Sequence, residues 1–436
     1  CARIRAMSKF IIQGGVALQG EVTPAGNKNA ALPMLAATLL TDKPVILHNV
    51  PYISDVRNLI RLIGTLGASA EWVDERTVRI EAATINSCSL DPQICREIRA
   101  SILLAGPMVS RCGDISLPPP GGDVIGRRRL DTHFLALRAL GATVRVGQQF
   151  DLKADKLRGA DFMLDEASVT ATENAIMAAV RAKGTTILRN AASEPHVQDL
   201  CNMLNAMGAK IENIGSNQLV IHGTDGEMLN GAEVNVGPDN IEVASFIALS
   251  AVCGQPGDGV WIRNAAPQHL GMTRLALGRL GIHFQAHGGD VFVPGAQSLR
   301  VVPEMDGGIP KIDDAPWPGF PADALSSVIV AATQCEGTVL IHEKMFESRL
   351  YFVDKLIGMG ARIVLCDPHR ALVQGVSRLR GDNVQSPDIR AGFALVIAAL
   401  CADGQSVISN AQQIDRGYDH LEEKLRALGA KIERQE

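Results

Sequence analysis

The side chains of this chain that could do chemistry sit mostly in two loops and in a set of arginines at element ends. In Pro24-Ala-Gly-Asn-Lys-Asn-Ala-Ala-Leu-Pro33, Gly26 permits a tight turn, and Asn27 or Asn29 can cap a helix expected to start near Ala30. Lys28 then stands at a helix N-terminus, where unpaired backbone N–H groups attract anions. An ordinary capped helix with a solvated lysine uses the same residues. The second loop is Pro118-Pro-Pro-Gly-Gly-Asp-Val-Ile-Gly-Arg-Arg-Arg-Leu-Asp131. Three prolines and two glycines describe an extended segment leading into a flexible loop. Asp123 at its tip, followed by Arg127, Arg128 and Arg129, suits a lid that closes on phosphate, although a charge run is also what a solvated surface loop looks like. The remaining candidates are Arg99, Asp323 in the Pro-rich turn Pro318-Gly-Phe-Pro-Ala-Asp323, Arg349 in Phe346-Glu-Ser-Arg349, Arg390 in Ser386-Pro-Asp-Ile-Arg390, and Arg416 in Gln413-Ile-Asp-Arg-Gly417. Taken singly, each of these reads more readily as a surface salt bridge than as a ligand group.

Bulk properties narrow the classes. At 436 residues the chain is too long for one ordinary core, so two domains are expected. Charged residues make up 20% and the net charge is -5, so an anion site must be a local cluster of Arg and Lys, and a nucleic-acid partner is not expected. The nine cysteines form no CxxC pair, and they are expected to be small buried hydrophobes in a reducing compartment. Neither a secretory signal nor an apolar run long enough to span a bilayer is present, so a cytoplasmic protein with no membrane partner is expected. Walker A, GxGxxG, HExxH and GxSxG motifs are absent, and the ten histidines form no ligand-spaced cluster; no metal and no redox cofactor are expected.

The elements that must position these side chains recur. A helix ending in a large apolar residue plus Gly, followed by a strand, occurs at Leu66-Gly67, Leu140-Gly141, Met207-Gly208, Leu280-Gly281, Met359-Gly360 and Leu428-Gly429, roughly 70 residues apart. Each Gly suits the left-handed residue that closes a helix. A second signature, a short strand usually followed by Asn, runs out of phase with the first, at Pro44 to Asn49, Gly184 to Asn190, Gly259 to Asn264 and Gly404 to Asn410. Six α/β units of this size favour two clusters of three units over a solenoid. The cleft between two such domains is the default ligand site.

Eight motifs in this order resemble the UDP-N-acetylglucosamine enolpyruvyl transferases, a branch of the enolpyruvyl transferase family. They are Gly26-Asn-Lys-Asn-Ala-Ala-Leu-Pro33, Arg99-Ala-Ser101, Pro120-Gly-Gly-Asp-Val-Ile-Gly-Arg-Arg, Asp165-Glu-Ala-Ser-Val169, Phe320-Pro-Ala-Asp323, Phe346-Glu-Ser-Arg349, Asp388-Ile-Arg390 and Ile414-Asp-Arg-Gly-Tyr418, and the resemblance covers nearly the whole chain. It implies an inside-out α/β barrel fold: two domains of three βαβαββ-like repeats, with residues 7–27 plus 237–436 in one and 28–236 in the other. The implied reaction moves the enolpyruvyl group of phosphoenolpyruvate to the sugar 3-hydroxyl of UDP-N-acetylglucosamine and releases phosphate, in a cytoplasmic monomer without a cofactor. Lys28, Arg128 and Arg416 would hold the phosphate, and Arg349 and Arg390 the carboxylate. Asp123 would be the general acid and Asp323 the base. Arg99, Arg128, Arg129, Leu130, Asp131, Thr132, Ser168, Val169 and Met345 would line the UDP-sugar site, with Asn29 near the sugar.

The chain departs from the pattern of that family in four places. Asp123 stands where many members have Cys; a carboxylic acid can still donate a proton if its pKa is raised, but it cannot form the thioether made by the epoxide inhibitor fosfomycin. Arg129 replaces a usual Pro, Glu166 a Lys that often contacts diphosphate, and Thr170 a usual Gly. These changes leave two alternatives open beside the leading one. The first is an enolpyruvyl transferase with another nucleotide or sugar acceptor, and the second a non-catalytic UDP-sugar-binding paralogue.

Overall fold

The computed structural model describes residues 8–122 and 129–436; Asp123, Arg127 and Arg128 lie outside them. The chain forms two compact units, residues 8–25 with 238–436 and residues 26–122 with 129–237. These boundaries fall two residues before and one residue after the expected ones.

Each unit carries three small sheets, and none of the six closes on itself. One pairing pattern runs through them: a short first strand parallel to a second, which is antiparallel to a third, itself antiparallel to a fourth. Ala232–Asn235, Val45–His48, Val78–Glu81 and Ser69–Trp72 follow it. So do Lys311–Asp313, Gly337–His342, Arg370–Gly375 and Arg362–Asp367. The sheet of Asp114–Leu117, Phe150–Lys153 and Thr143–Val146 keeps only a single parallel bridge, Ser89 to Ser116, in place of the first strand. Distant parts of the chain complete several sheets. Lys9–Gln13 lies between Gln405–Ser409 and Lys431–Gln435, and Gly20–Val22 pairs with Gly259–Ile262.

Inside each unit the sheets surround helices that are apolar around their whole circumference. Asn240–Cys253, Ala322–Thr333 and Ile389–Cys401 pack on one another, and almost all their residues are buried. In the other unit Val169–Ala179 packs on both Ala105–Cys112 and Lys28–Ala37, and most residues of these helices are buried. A helix without a polar face has no stable place at a surface, which puts helices inside and sheets outside. No helix among the described residues is long and apolar enough to cross a membrane.

Both repeated signatures have a backbone cause. Gly67, Gly141, Gly208, Gly281, Gly360 and Gly429 all have φ between 73° and 111°, a region that costs an L side chain roughly 1–2 kcal/mol. Asn49, Asn190 and Asn410 also have positive φ. Their side chains tie neighbouring strands together: Nδ2 of each donates to the carbonyl that follows the parallel partner strand, at Val236 (3.0 Å), Leu164 (3.0 Å) and Ser386 (2.9 Å). The cysteine expectation needs one correction. All eight described cysteines are free thiols, but only Cys95, Cys201, Cys253 and Cys335 are buried; Cys88, Cys112 and Cys401 are half-buried, and Cys366 is exposed, where the strand Arg362–Asp367 shifts register.

Candidate functional site

In the unit of residues 8–25 and 238–436, three predicted residues converge. Asp388 caps the buried helix Ile389–Cys401 by accepting from the Arg390 and Ala391 N–H groups at 2.8 and 2.9 Å. The cap places Arg390 in the first turn, where its guanidinium lies over the Tyr418 ring, 5.2 Å from its centroid. Asp323 lies in the first turn of Ala322–Thr333. Its Oδ2 accepts from Arg390 Nε at 2.9 Å, and its Oδ1 accepts from Arg349 Nη2. Arg349 reaches there from the segment after strand Gly337–His342, with its guanidinium over the Phe346 ring and Nη1 3.8 Å from Asp388 Oδ1. Both arginines are buried, at 7% and 5% exposure. Burial opposes the Arg390 charge, but Tyr418, Asp323 and Asp239 more than offset it, so its pKa is raised. Two donors in this cluster, Arg349 Nε and Arg390 Nη1, are buried without a hydrogen-bond partner among the described residues. A buried donor left unmade costs about 1–3 kcal/mol, and more when charged. Arg416 is half-buried and donates to Gln413 Oε1 at 3.1 Å.

In the other unit, Asn27 rather than Asn29 is the cap: its Oδ1 accepts from the N–H groups of Asn29 and Ala30. The helix therefore begins at Lys28, two residues before the expected start. Lys28 is not solvated. Its Nζ lies 2.6 Å from Asp55 Oδ2, with both side chains largely buried. Asp55 belongs to the first turn of Ser54–Thr65, and nothing in its local sequence marked it.

The stem of the second loop is less free than its composition suggests. Gly121 N–H donates to the Cys95 carbonyl at 2.8 Å, and a Cβ at Gly121 would meet the Arg96 carbonyl oxygen at 1.7 Å. Gly122, at φ 101°, lies against the backbone of Arg99. These glycines serve close packing on the segment that carries Arg99, not flexibility. Asp123 and Arg128 fall outside the described residues.

Beyond the loop, Arg129 Nε donates to Asp131 Oδ2 at 2.8 Å and Nη2 lies 3.8 Å from Asp165. Asp131 first, then Asp165 and Glu166, raise the Arg129 pKa. Thr132 donates to Asp165 Oδ1 at 2.6 Å. Arg129, Asp131, Phe134, Leu135, Arg138 and Asp165 line a concavity here. Leu130 is half-buried, Ser168 precedes the helix Val169–Ala179, and Met345 is exposed. Thr170 is engaged as well, its Oγ1 3.1 Å from His133 Nε2. The Asn174 amide donates to His133 Nδ1 at 2.9 Å, so Nε2 carries the proton and donates to Thr170. Burial, then Arg99, lowers the His133 pKa to about 3. Among the described residues no cluster of His, Cys, Asp and Glu could hold a metal ion.

Residues 12–425 match the family model for EPSP synthase (3-phosphoshikimate 1-carboxyvinyltransferase). The chain is 57% identical over 426 residues to a UDP-N-acetylglucosamine 1-carboxyvinyltransferase of Bradyrhizobium diazoefficiens, covering 98% of each chain. It is 54% identical to the enzyme of the same name from Treponema denticola, covering 99% of this chain and all of that one. Among solved structures, the enolpyruvyl transferase NikO from Streptomyces tendae superposes with a TM-score of 0.86 at 25% identity, over 98% of this chain and 99% of that one. The Acinetobacter baumannii EPSP synthase gives 0.75 at 18% identity, over 98% and 100%, a likeness of fold alone.

Proposed function

The chain belongs to the EPSP synthase family of enolpyruvyl transferases, and from that premise we propose that it transfers the enolpyruvyl group of phosphoenolpyruvate to the 3-hydroxyl of UDP-N-acetylglucosamine, the first committed step of peptidoglycan synthesis. The full-length relatives at 57% and 54% identity are carboxyvinyltransferases of that sugar nucleotide, which favours this acceptor over another nucleotide or sugar.

One observation carries the chemistry: two buried guanidiniums converge on a single carboxylate and still hold unspent donors. A guanidinium fork matches two carboxylate oxygens, so Arg349 and Arg390 fit the carboxylate of phosphoenolpyruvate. In this reading Lys28, Arg128 and Arg416 serve its phosphate. Asp323 takes the proton from the sugar hydroxyl as that oxygen bonds to C2 of phosphoenolpyruvate, and Asp123 gives a proton to C3. The tetrahedral intermediate then loses a proton from C3 and breaks its C2–O bond to phosphate, leaving the enol ether and free phosphate. Each such proton transfer contributes typically about 10²–10⁴-fold.

Arg99, Arg129, Leu130, Asp131, Thr132, Ser168, Val169, Met345 and Asn29 belong to the sugar-nucleotide side in the same reading. Arg129 bears on Glu166 there, because a guanidinium beside Asp131, Asp165 and Glu166 offsets an acidic surface that would repel diphosphate. The test is to incubate the protein with phosphoenolpyruvate and UDP-N-acetylglucosamine and to measure phosphate release. Release only with a different acceptor would overturn the acceptor, and no release with any acceptor would overturn the reaction.

A further inference from the structure

In three of the repeats the residue after the second strand is an Asn whose side chain donates to a backbone carbonyl, as described for Asn49, Asn190 and Asn410. The sheet that contains Lys311–Asp313 and Gly337–His342 breaks this rule. Asp313 pairs with His342, so the two residues that leave the strands side by side are Asp314 and Glu343. Both are acids, and both are 0% exposed. A carboxylate cannot make the Asn tie, because it has no N–H to donate.

Instead the two side chains turn to the segment that follows. Asp314 Oδ1 accepts from the Lys344 N–H and Oδ2 from the Met345 N–H at 3.2 Å. Glu343 Oε1 accepts from the Met345 and Phe346 N–H groups at 3.2 and 3.1 Å. Three consecutive backbone donors are thus held by one acid pair, three residues before Arg349. Glu343 Oε2 is buried without a hydrogen-bond partner among the described residues. Burial first, then the hydrogen bond and charge of Asp314, raise the Glu343 pKa to about 9, against the pull of Arg349.

The other charged groups nearby are engaged elsewhere. Lys344 Nζ bonds Asp313 at 2.8 Å, His369 Nδ1 bonds the Glu343 carbonyl at 2.9 Å, and Arg349 faces Asp323 and Asp388.

We propose that Asp314 and Glu343 are positioning residues for enolpyruvyl transfer: by accepting from three consecutive N–H groups they clamp the Lys344–Phe346 backbone and so set the place of Met345 and Arg349. This rests on the function proposed above, and two readouts keep the failures apart. The first is amide hydrogen exchange at residues 344–346, which needs no substrate. Glu343→Ala loses protection there while the inner helices keep theirs, and Glu343→Gln, whose amide supplies both a donor and an acceptor, restores it.

The second readout is steady-state kinetics. Glu343→Ala raises KM for phosphoenolpyruvate on the order of 10- to 100-fold, as misplacement of a binding group by about 1 Å can do. Glu343→Gln rescues it at neutral pH. The native protein shows a rise in KM as pH passes about 9, where Glu343 loses its proton, and Glu343→Gln does not. A purely structural role would lower thermal stability and the active fraction but leave KM and its pH profile unchanged. Native exchange in Glu343→Ala, or a Gln variant no better than Ala, overturns the proposal. A native protein without turnover overturns the function instead, and the exchange comparison still decides the clamp.

Discussion

Asp323 Oδ2 accepts from Arg390 Nε at 2.9 Å, which ties the proposed base to one of the two arginines proposed to hold the carboxylate of phosphoenolpyruvate. The pair is not an isolated surface contact. Arg349 shares the same carboxylate, Tyr418 lies under the Arg390 guanidinium, and Asp388 holds the helix turn from which Arg390 projects. Base and substrate anchor are therefore set by one packed unit.

Replacing Arg390 by Lys keeps the charge but removes the planar fork, the Nε–H bond to Asp323 and the stack on Tyr418. KM for phosphoenolpyruvate should rise about tenfold or more. Steady-state kinetics at saturating acceptor checks this, and an unchanged KM would remove Arg390 from the carboxylate site.

Asp55→Asn should destabilise the unit that contains it. The Lys28–Asp55 pair is largely buried, and removing one partner of a buried pair costs about 3–5 kcal/mol because the other charge is left uncompensated. Thermal and urea unfolding measure the loss. A change of under about 1 kcal/mol would mean that Lys28 is well solvated without Asp55.

His133 makes the same unit acid-sensitive. Its pKa is lowered by burial and by Arg99 to about 3, whereas an unfolded His binds a proton near pH 6.5. The unfolded state then binds more protons as pH falls below about 6.5, so stability drops with falling pH until about pH 3. Between pH 7.5 and 5 the loss should be about 2 kcal/mol, taking about 1.4 kcal/mol for each pH unit below the unfolded value. Urea midpoints of the native protein and His133→Gln at both pH values check it, since the variant should lack this component.

Asp123→Asn should abolish turnover while leaving binding of both substrates largely intact, because the amide keeps the shape but has no acidic proton to give. The native protein should also resist time-dependent inactivation by fosfomycin, since residue 123 carries no thiol. Mass spectrometry after incubation with the inhibitor would expose a covalent adduct if this is wrong.

The repeat was legible in the linear sequence because its signals are local. A helix that must end in a left-handed residue selects Gly at six places, and an L residue that must leave a strand with positive φ selects Asn. Arg349, Arg390 and Asp323 were legible through motif order, as was Lys28 at its helix start. The partners of those residues were not. Asp55, Asp314 and Glu343 are ordinary acids in ordinary contexts, and each acquires its role from a residue or strand brought beside it by pairing. Even the two loop glycines changed meaning: Gly121 and Gly122 read as flexibility until the Arg96 to Arg99 backbone was found against them. Short-range backbone sterics are written into neighbouring residues, so the sequence by itself determined the six-unit scaffold. Burial and charge pairing depend on groups far apart in the chain, so only the tertiary structure decided that Lys28 is paired, that Asp323 joins two guanidiniums, and that one strand pair ends in acids where three others end in an Asn tie.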